Sequence, residues 1–220
     1  MLASGTKGFP AGAAPCALED VGARGWNILR GDLPFPLAVL RRRDLEHNLA
    51  WMQAYADRKG VSFAPHGKTT MSPELFRMQL AHGAWGITFA TVAQLAVGLQ
   101  AGVRRAVIAN QVVSGADLAG LAGLLATHPG SRAWFLVDSL AQLALIESWA
   151  RDHAGAPVFD VLLEMGAPGQ RTGCRTLAQA MDLAQAMSRS RAVRLGGIEC
   201  YEGLMANGDS AHDVEAVSSL

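Results

Sequence analysis

Ala133-Trp134-Phe135-Leu136-Val137, followed by Ser139 to Ala150 (SLAQLALIESWA), is the stretch on which the fold turns. Five consecutive apolar residues read as a buried strand, and the leucines and isoleucine after Ser139 recur at helical period. A strand followed directly by a helix is the start of a βαβ unit. The same rhythm extends in both directions. Upstream lie the strand-like runs Val61 to Pro65, Gly86 to Ala90 and Ala106 to Ala109. Downstream lie Phe159 to Glu164 and Leu195 to Cys200. Between them, Val92 to Leu99, Asp117 to Leu125 and Leu177 to Met187 carry helical spacing. The repeat is roughly 20 to 36 residues, the size of a βα unit. Strands alternating with helices predict a parallel sheet with helices outside it.

Ahead of this series, Pro36 to Leu40 reads as an opening strand. Asp44 is placed to cap a helix whose apolar face is Leu45, Leu49, Met52 and Ala56, and Gly60 stops it. Six units fit either an open doubly wound sheet or most of an eight-stranded barrel. Such a barrel typically needs ~250 residues, and this chain ends at Ser218-Ser219-Leu220 without a closing element. The expectation is an α/β protein: a (β/α)8 TIM-type barrel truncated after about six strands. The barrel part is assigned to 36–220, with 1–35 as an N-terminal extension.

Composition narrows the function classes. The 220 residues are half hydrophobic and carry zero formal net charge, so nothing suggests a nucleic-acid footprint. No run is long and apolar enough for a bilayer, and Met1 to Pro15 lacks the apolar core of a secretory signal. Cys16, Cys174 and Cys200 form no C-x-x-C pair, so neither a zinc site nor a disulfide framework is readable, and a reducing cytoplasm is expected. Only three of the 19 basic residues are lysines: Lys7, Lys59 and Lys68. Lys7 lies in the Gly/Ala/Pro-rich start, and Lys59 sits at a helix end, where a cation meets the negative pole of the dipole. Lys68 alone follows a strand-like run.

That lysine lies in Pro65-His66-Gly67-Lys68-Thr69-Thr70-Met71-Ser72-Pro73. Catalytic groups of βα barrels gather where strands end. A desolvated lysine there loses pKa, because burial disfavours its charged form. Its neutral amine can then attack an aldehyde. Taken alone, Lys68 has the plainer reading of a solvated loop residue. The segment, however, resembles the Pro-His-x-Lys-Thr cofactor-lysine segment of D-threonine aldolases and of the D-serine dehydratase or amino-acid deaminase group. The resemblance continues through Trp85-Gly86-Ile87-Thr88-Phe89-Ala90-Thr91 and Ala93-Gln94-Leu95. It returns at Gln170-Arg171-Thr172-Gly173 and at Gly197-Ile198-Glu199-Cys200-Tyr201-Glu202-Gly203. Four blocks fall in the same order, from about Pro36 onward.

The resemblance implies an alanine-racemase-like barrel carrying pyridoxal phosphate. Lys68 would bind the cofactor covalently and act as base on the substrate Cα. Arg171 would hydrogen-bond the phenolic oxygen, since a guanidinium favours the phenolate. Tyr201 would face the pyridine nitrogen, giving a weaker electron sink than a carboxylate partner. His66 would lie beside the cofactor, and Gly203 could offer a backbone N–H to the phosphate. Each has a plainer alternative: a surface arginine, an interior aromatic, a hydrogen-bonded loop histidine. Glu164 and Glu202 also end strands, and no chemical task is assigned to them. The Gly166 to Gly173 run lacks G-x-G-x-x-G spacing, so no dinucleotide fingerprint is read there.

The implied activity is deamination of a D-serine-like β-hydroxy D-amino acid to a keto acid and ammonia. The runner-up is retro-aldol cleavage of the D-threonine aldolase type. A non-catalytic pyridoxal-phosphate-binding protein is a third reading. The dehydratases of this group hold zinc in a C-terminal domain, and this chain stops before such a domain. Zinc or manganese would therefore be bound outside it, and no metal ligand is assigned within it. Leu204 to Gly208 lacks the histidine that often follows Tyr-Glu-Gly in the aldolases, which tilts the reading toward the deaminases. A small D-amino acid is the expected partner, and a homodimer the expected full-length assembly. Alone, the fragment is expected to be poorly soluble, because six strands leave open edges and apolar inner faces.

Overall fold

The computed structural model describes residues 1–167, 169–203 and 211. It divides into two compact units, 1–48 and 49–220. In the first, Leu2 and Cys16 exchange backbone hydrogen bonds of 2.7 and 3.0 Å. Phe9 is buried and meets Trp26 edge to face at 5.4 Å. Three single-turn 3-10 helices follow, at Leu18–Asp20, Gly22–Arg24 and Ile28–Arg30. The strand expected at Pro36 to Leu40 does not form. Pro34 and Pro36 lack the N–H that a ladder needs.

Helix α1 (Arg42–Lys59) begins two residues before Asp44, which therefore sits in the first turn rather than at the cap. Its face of Leu45, Leu49, Met52 and Ala56 is the less exposed one, as the spacing predicts.

The second unit holds five parallel strands in sequential order: β1 (Ile87–Phe89), β2 (Arg105–Gln111), β3 (Arg132–Val137), β4 (Phe159–Met165) and β5 (Val193–Cys200). The crossover helices are α3 (Val92–Gln100), α4 (Gly115–Thr127), α5 (Leu140–Asp152) and α6 (Leu177–Arg189), and α2 (Pro73–Ala81) precedes β1. The sixth expected strand is shorter than the spacing suggests. Trp85 N–H donates to Phe63 O, Thr88 N–H to Pro65 O and Gly67 N–H to Thr88 O, so 63–67 runs beside β1 through one parallel bridge at His66. Pro65 has no N–H to extend that ladder. Helix α2 is absent from the expectations, although Ser72 and Pro73 are its N-cap and first residue.

Alternate strand residues pack under the helices. Ile87, Phe89, Ala106, Ile108, Phe135, Val137, Phe159, Val161 and Leu163 are all nearly inaccessible and form one core with Leu95, Leu121, Ile146 and Leu183. At ~25 cal/mol per Å² of apolar area, this layer is the main stabilising term. Three of the four turns from strand to helix, those into α3, α5 and α6, share one device. Thr91, Ser139 and Thr176 accept the N–H of Gln94, Gln142 and Gln179, and each glutamine Oε1 accepts an N–H just before the cap, from Ala90, Asp138 and Arg175. This reciprocal capping box fixes how the chain leaves each strand end.

The other sheet face is polar at both ends. Where the strands begin, Arg105 lies over Trp85 (5.6 Å), Trp85 against Trp134 (5.2 Å) and Arg132 over Trp134 (4.5 Å). Asp160, with only 8% of its side chain exposed, takes Arg132 at 3.0 Å and Arg194 at 2.6 Å. Burial pushes the Asp160 carboxyl up, but the two guanidiniums outweigh it and hold it below the usual carboxylate range.

Candidate active site

The strand ends gather the chemistry. After the bridge at His66, Gly67 is buried, and a Cβ there would meet the Phe76 ring at 2.7 Å and Ile87 at 2.9 Å. Only glycine lets the chain pass so close to that core. Met71 N–H then closes a turn onto Gly67 O at 2.9 Å, and Met71 itself adopts φ +45°, uncommon for a side chain of its size. Lys68, Thr69 and Thr70 are the exposed crest of this turn. The desolvation expected at Lys68 is therefore not found. The turn lifts its amine off the apolar core, and among the described residues it makes no ion pair.

His66 Nδ1 lies 3.1 Å from Thr88 O. Partial burial holds its pKa below the ordinary value, and the nearby Lys68 charge acts the same way, against a smaller opposing effect of the Thr88 carbonyl. His66 and Lys68 are thus electrostatic neighbours.

Arg171 and Tyr201 form the second pair. The Arg171 guanidinium carbon stands 4.9 Å from the Tyr201 ring centroid, a cation–π distance. Tyr201 is about half exposed, not an interior aromatic. Gly203 follows on the surface, and a Cβ there would meet the Tyr201 ring at 3.0 Å. Residues 204–208, whose lack of histidine tilted the sequence reading, lie outside the described residues.

Beneath these pairs lies a polar network largely missed in the sequence. Glu164, nearly inaccessible, accepts Thr172 Oγ1–H at 2.7 Å and a hydrogen bond from Gln111 Nε2. Gln111 Nε2 also donates to Asp138, whose Oδ2 accepts Gly173 N–H at 3.1 Å. Glu164 and Glu199 are register partners on β4 and β5. Glu199 Oε2 is buried without a hydrogen-bond partner among the described residues. Burial pushes the Glu199 carboxyl to about 7, the charges of Glu164 and Glu202 add to the rise, and Arg171 partly opposes it. The sequence signal for Gln111 is hidden because β2 runs past Ala109. A two-residue bulge separates Ile108, paired with Phe135, from Gln111, paired with Leu136.

A phosphorylated pyridine aldehyde suits this donor set. An amine, a guanidinium, a phenol and a buried carboxyl oxygen without a partner among the described residues are present on the strand-end side, each able to meet a different group of such a molecule. Among the described residues no cluster of three or more His, Cys, Asp or Glu could hold a metal ion, and no helix is long and apolar enough to cross a membrane. All three cysteines are unpaired.

No family model matches the chain. A D-threonine aldolase of Arthrobacter sp. is 36% identical over 168 residues, which is 76% of this chain and 43% of that protein. A D-threo-3-hydroxyaspartate dehydratase of Delftia sp. (strain HT23) is 30% identical over 189 residues, 84% of this chain and 48% of that one. Among solved structures, D-threonine aldolase from Filomicrobium marinum superposes with TM-score 0.74 at 28% identity, over 85% of this chain and 51% of that one. Alanine racemase from Bacillus anthracis gives TM-score 0.65 at 11% identity, over 80% and 44%, and so speaks to the fold alone. The chain spans about half the length of the curated relatives it matches. It is a homologue of D-threonine aldolases and D-threo-3-hydroxyaspartate dehydratases, built on the alanine-racemase-like barrel.

Proposed function

We propose that this chain carries the cofactor half of a pyridoxal-phosphate-dependent lyase acting on β-hydroxy D-amino acids. The observation that carries the reading is the Arg171–Tyr201 stack on the same strand-end side as the Lys68 turn. When bound, the cofactor supplies a conjugated ring that takes up the charge left at Cα. Lys68 Nζ would hold the cofactor's aldehyde carbon and would serve as base at the substrate Cα. Arg171 would hold the phenolic oxygen through its guanidinium N–H groups. The Tyr201 hydroxyl would meet the ring nitrogen. Partial burial and the Lys68 charge lower the His66 pKa, which disfavours a second cation beside Lys68. Gly203 would offer its backbone N–H to the phosphate. A divalent metal, zinc or manganese, belongs to the same reading and is held outside these residues. So do a homodimeric, cytoplasmic enzyme and the division into 1–35 and 36–220.

Two bond cleavages fit. Elimination of the β-hydroxyl is supported by similarity to the Delftia dehydratase, and retro-aldol cleavage by similarity to the two D-threonine aldolases. Assays of the full-length protein separate them: pyruvate and ammonia from D-serine mark elimination, glycine from D-threonine marks aldol cleavage. Borohydride reduction of the cofactor-loaded protein, followed by peptide mapping, is expected to label Lys68. Labelling of Lys59 or Lys7 instead, or none at all, would remove the reading.

A further inference from the structure

The turn that carries Arg171 is held from inside by a second arginine. Arg175 Nη1 donates to Ala167 O at 2.8 Å and Thr172 O at 2.9 Å, and Nη2 donates to Gln170 O at 3.0 Å and Arg171 O at 3.1 Å. Four carbonyls of one turn therefore converge on one guanidinium, one of them belonging to Arg171 itself. The fork is fixed in turn, since Arg175 N–H donates to Gln179 Oε1 at 2.8 Å in the α6 capping box.

Further ties fix the described residues of the turn. Cys174 N–H donates to Glu164 O and Gly166 N–H to Cys174 O, closing it against the end of β4. Gly173 has φ +99°, and a Cβ there would lie 2.5 Å from Gly166 N. Thr172 and Gly173 are tied to Glu164 and Asp138. Among the described residues these ties point inward, whereas the Arg171 side chain is turned to the Tyr201 ring.

We propose that Arg175 is a positioning residue: its planar fork gathers the turn carbonyls and thereby holds Arg171 against Tyr201. A planar guanidinium can serve four acceptors at once, and an ammonium, with three donors around a point charge, cannot do so in one plane. A lysine at 175 is therefore a poor substitute. The inference rests on the reading of Arg171 as a cofactor contact.

The test uses the full-length protein and two readouts. The first needs no cofactor. Backbone hydrogen exchange over 169–176, read by mass spectrometry, is expected to speed up about tenfold or more in Arg175→Ala, and about as much in Arg175→Lys. The rest of the barrel keeps wild-type exchange, and millimolar guanidinium chloride restores protection in Arg175→Ala. The second readout is equilibrium binding of pyridoxal phosphate, followed by absorbance. Its affinity is expected to fall about tenfold in both variants and to recover with guanidinium only in Arg175→Ala. Thr172→Val, which removes one strut and keeps the shape, is expected to show the same two changes at about threefold and serves if Arg175→Ala does not fold. Wild-type exchange over 169–176 in the variants would overturn the proposal, as would faster exchange with unchanged cofactor affinity. A wild-type protein that binds no pyridoxal phosphate, with the exchange result as expected, would overturn the proposed function and leave the stitched turn standing.

Discussion

The two ends of the strands treat a buried carboxyl in opposite ways. Asp160, at the start of β4, has both oxygens on guanidiniums, and its pKa is held down. Glu199, near the end of β5, keeps a buried oxygen with no partner among the described residues, and its pKa is driven up to about 7. One end closes its electrostatics upon itself and the other leaves them open. This is the usual division of labour in a βα barrel, with stability at the strand starts and chemistry at the strand ends.

The sharpest way to break this contrast is at the open end. Lys68→Ala in the full-length protein is expected to abolish borohydride labelling and to lower activity by about 10³-fold or more, with the melting temperature unchanged. A large fall in melting temperature would make Lys68 a structural residue and erase the distinction.

Next in size is the closed end. Asp160→Ala leaves two guanidiniums side by side without their anion. It is expected to lower stability by about 1–2 kcal/mol, because Arg132 and Arg194 are half exposed and water screens them. Denaturant unfolding at neutral pH measures it, and activity of the surviving folded fraction should be unchanged. The contribution of Asp160 is present above its unfolded pKa near 3.8 and is lost as pH falls through its lower folded value, so variant and parent should converge in acid.

The smallest effect sharpens the contrast through pH. Glu199 titrates near 4.5 unfolded and near 7 folded. Between these values unfolding releases a proton, so stability falls as pH rises. Glu199→Gln keeps the neutral form and removes that slope. It is expected to be more stable than the parent by about 1 kcal/mol at pH 8 and equal to it at pH 4, the gain being limited by part exposure of the carboxyl. A denaturation midpoint that tracks the parent across this range would show that Glu199 ionises freely.

Much of this was legible in the residues. Apolar runs such as Ala133 to Val137 located the strands, since burial under helices demands continuous apolar character; the order of four motif blocks singled out Lys68, Arg171 and Tyr201, whose roles belong to the proposed function. What stayed hidden depends on register and on backbone hydrogen bonds. Nothing in the sequence says that Glu164 and Glu199 stand side by side, because that follows from β4 pairing with β5. Arg175 reads as one more surface cation, because its partners are carbonyls, which every residue owns. Pro36 to Leu40 misled for the opposite reason: its apolar content suited a strand, and Pro36, with Pro34 just before it, did not.

The bulge in β2 has a consequence for anyone altering this strand. Because side chains alternate between faces, inserting two residues preserves parity, so Gln111 still looks toward Glu164 rather than into the helix layer. Deleting a single residue at 109 or 110 would reverse that parity, burying the amide among hydrocarbon and leaving both acids without their shared donor. Deleting both should be tolerated, so length variation here is expected to come in even steps.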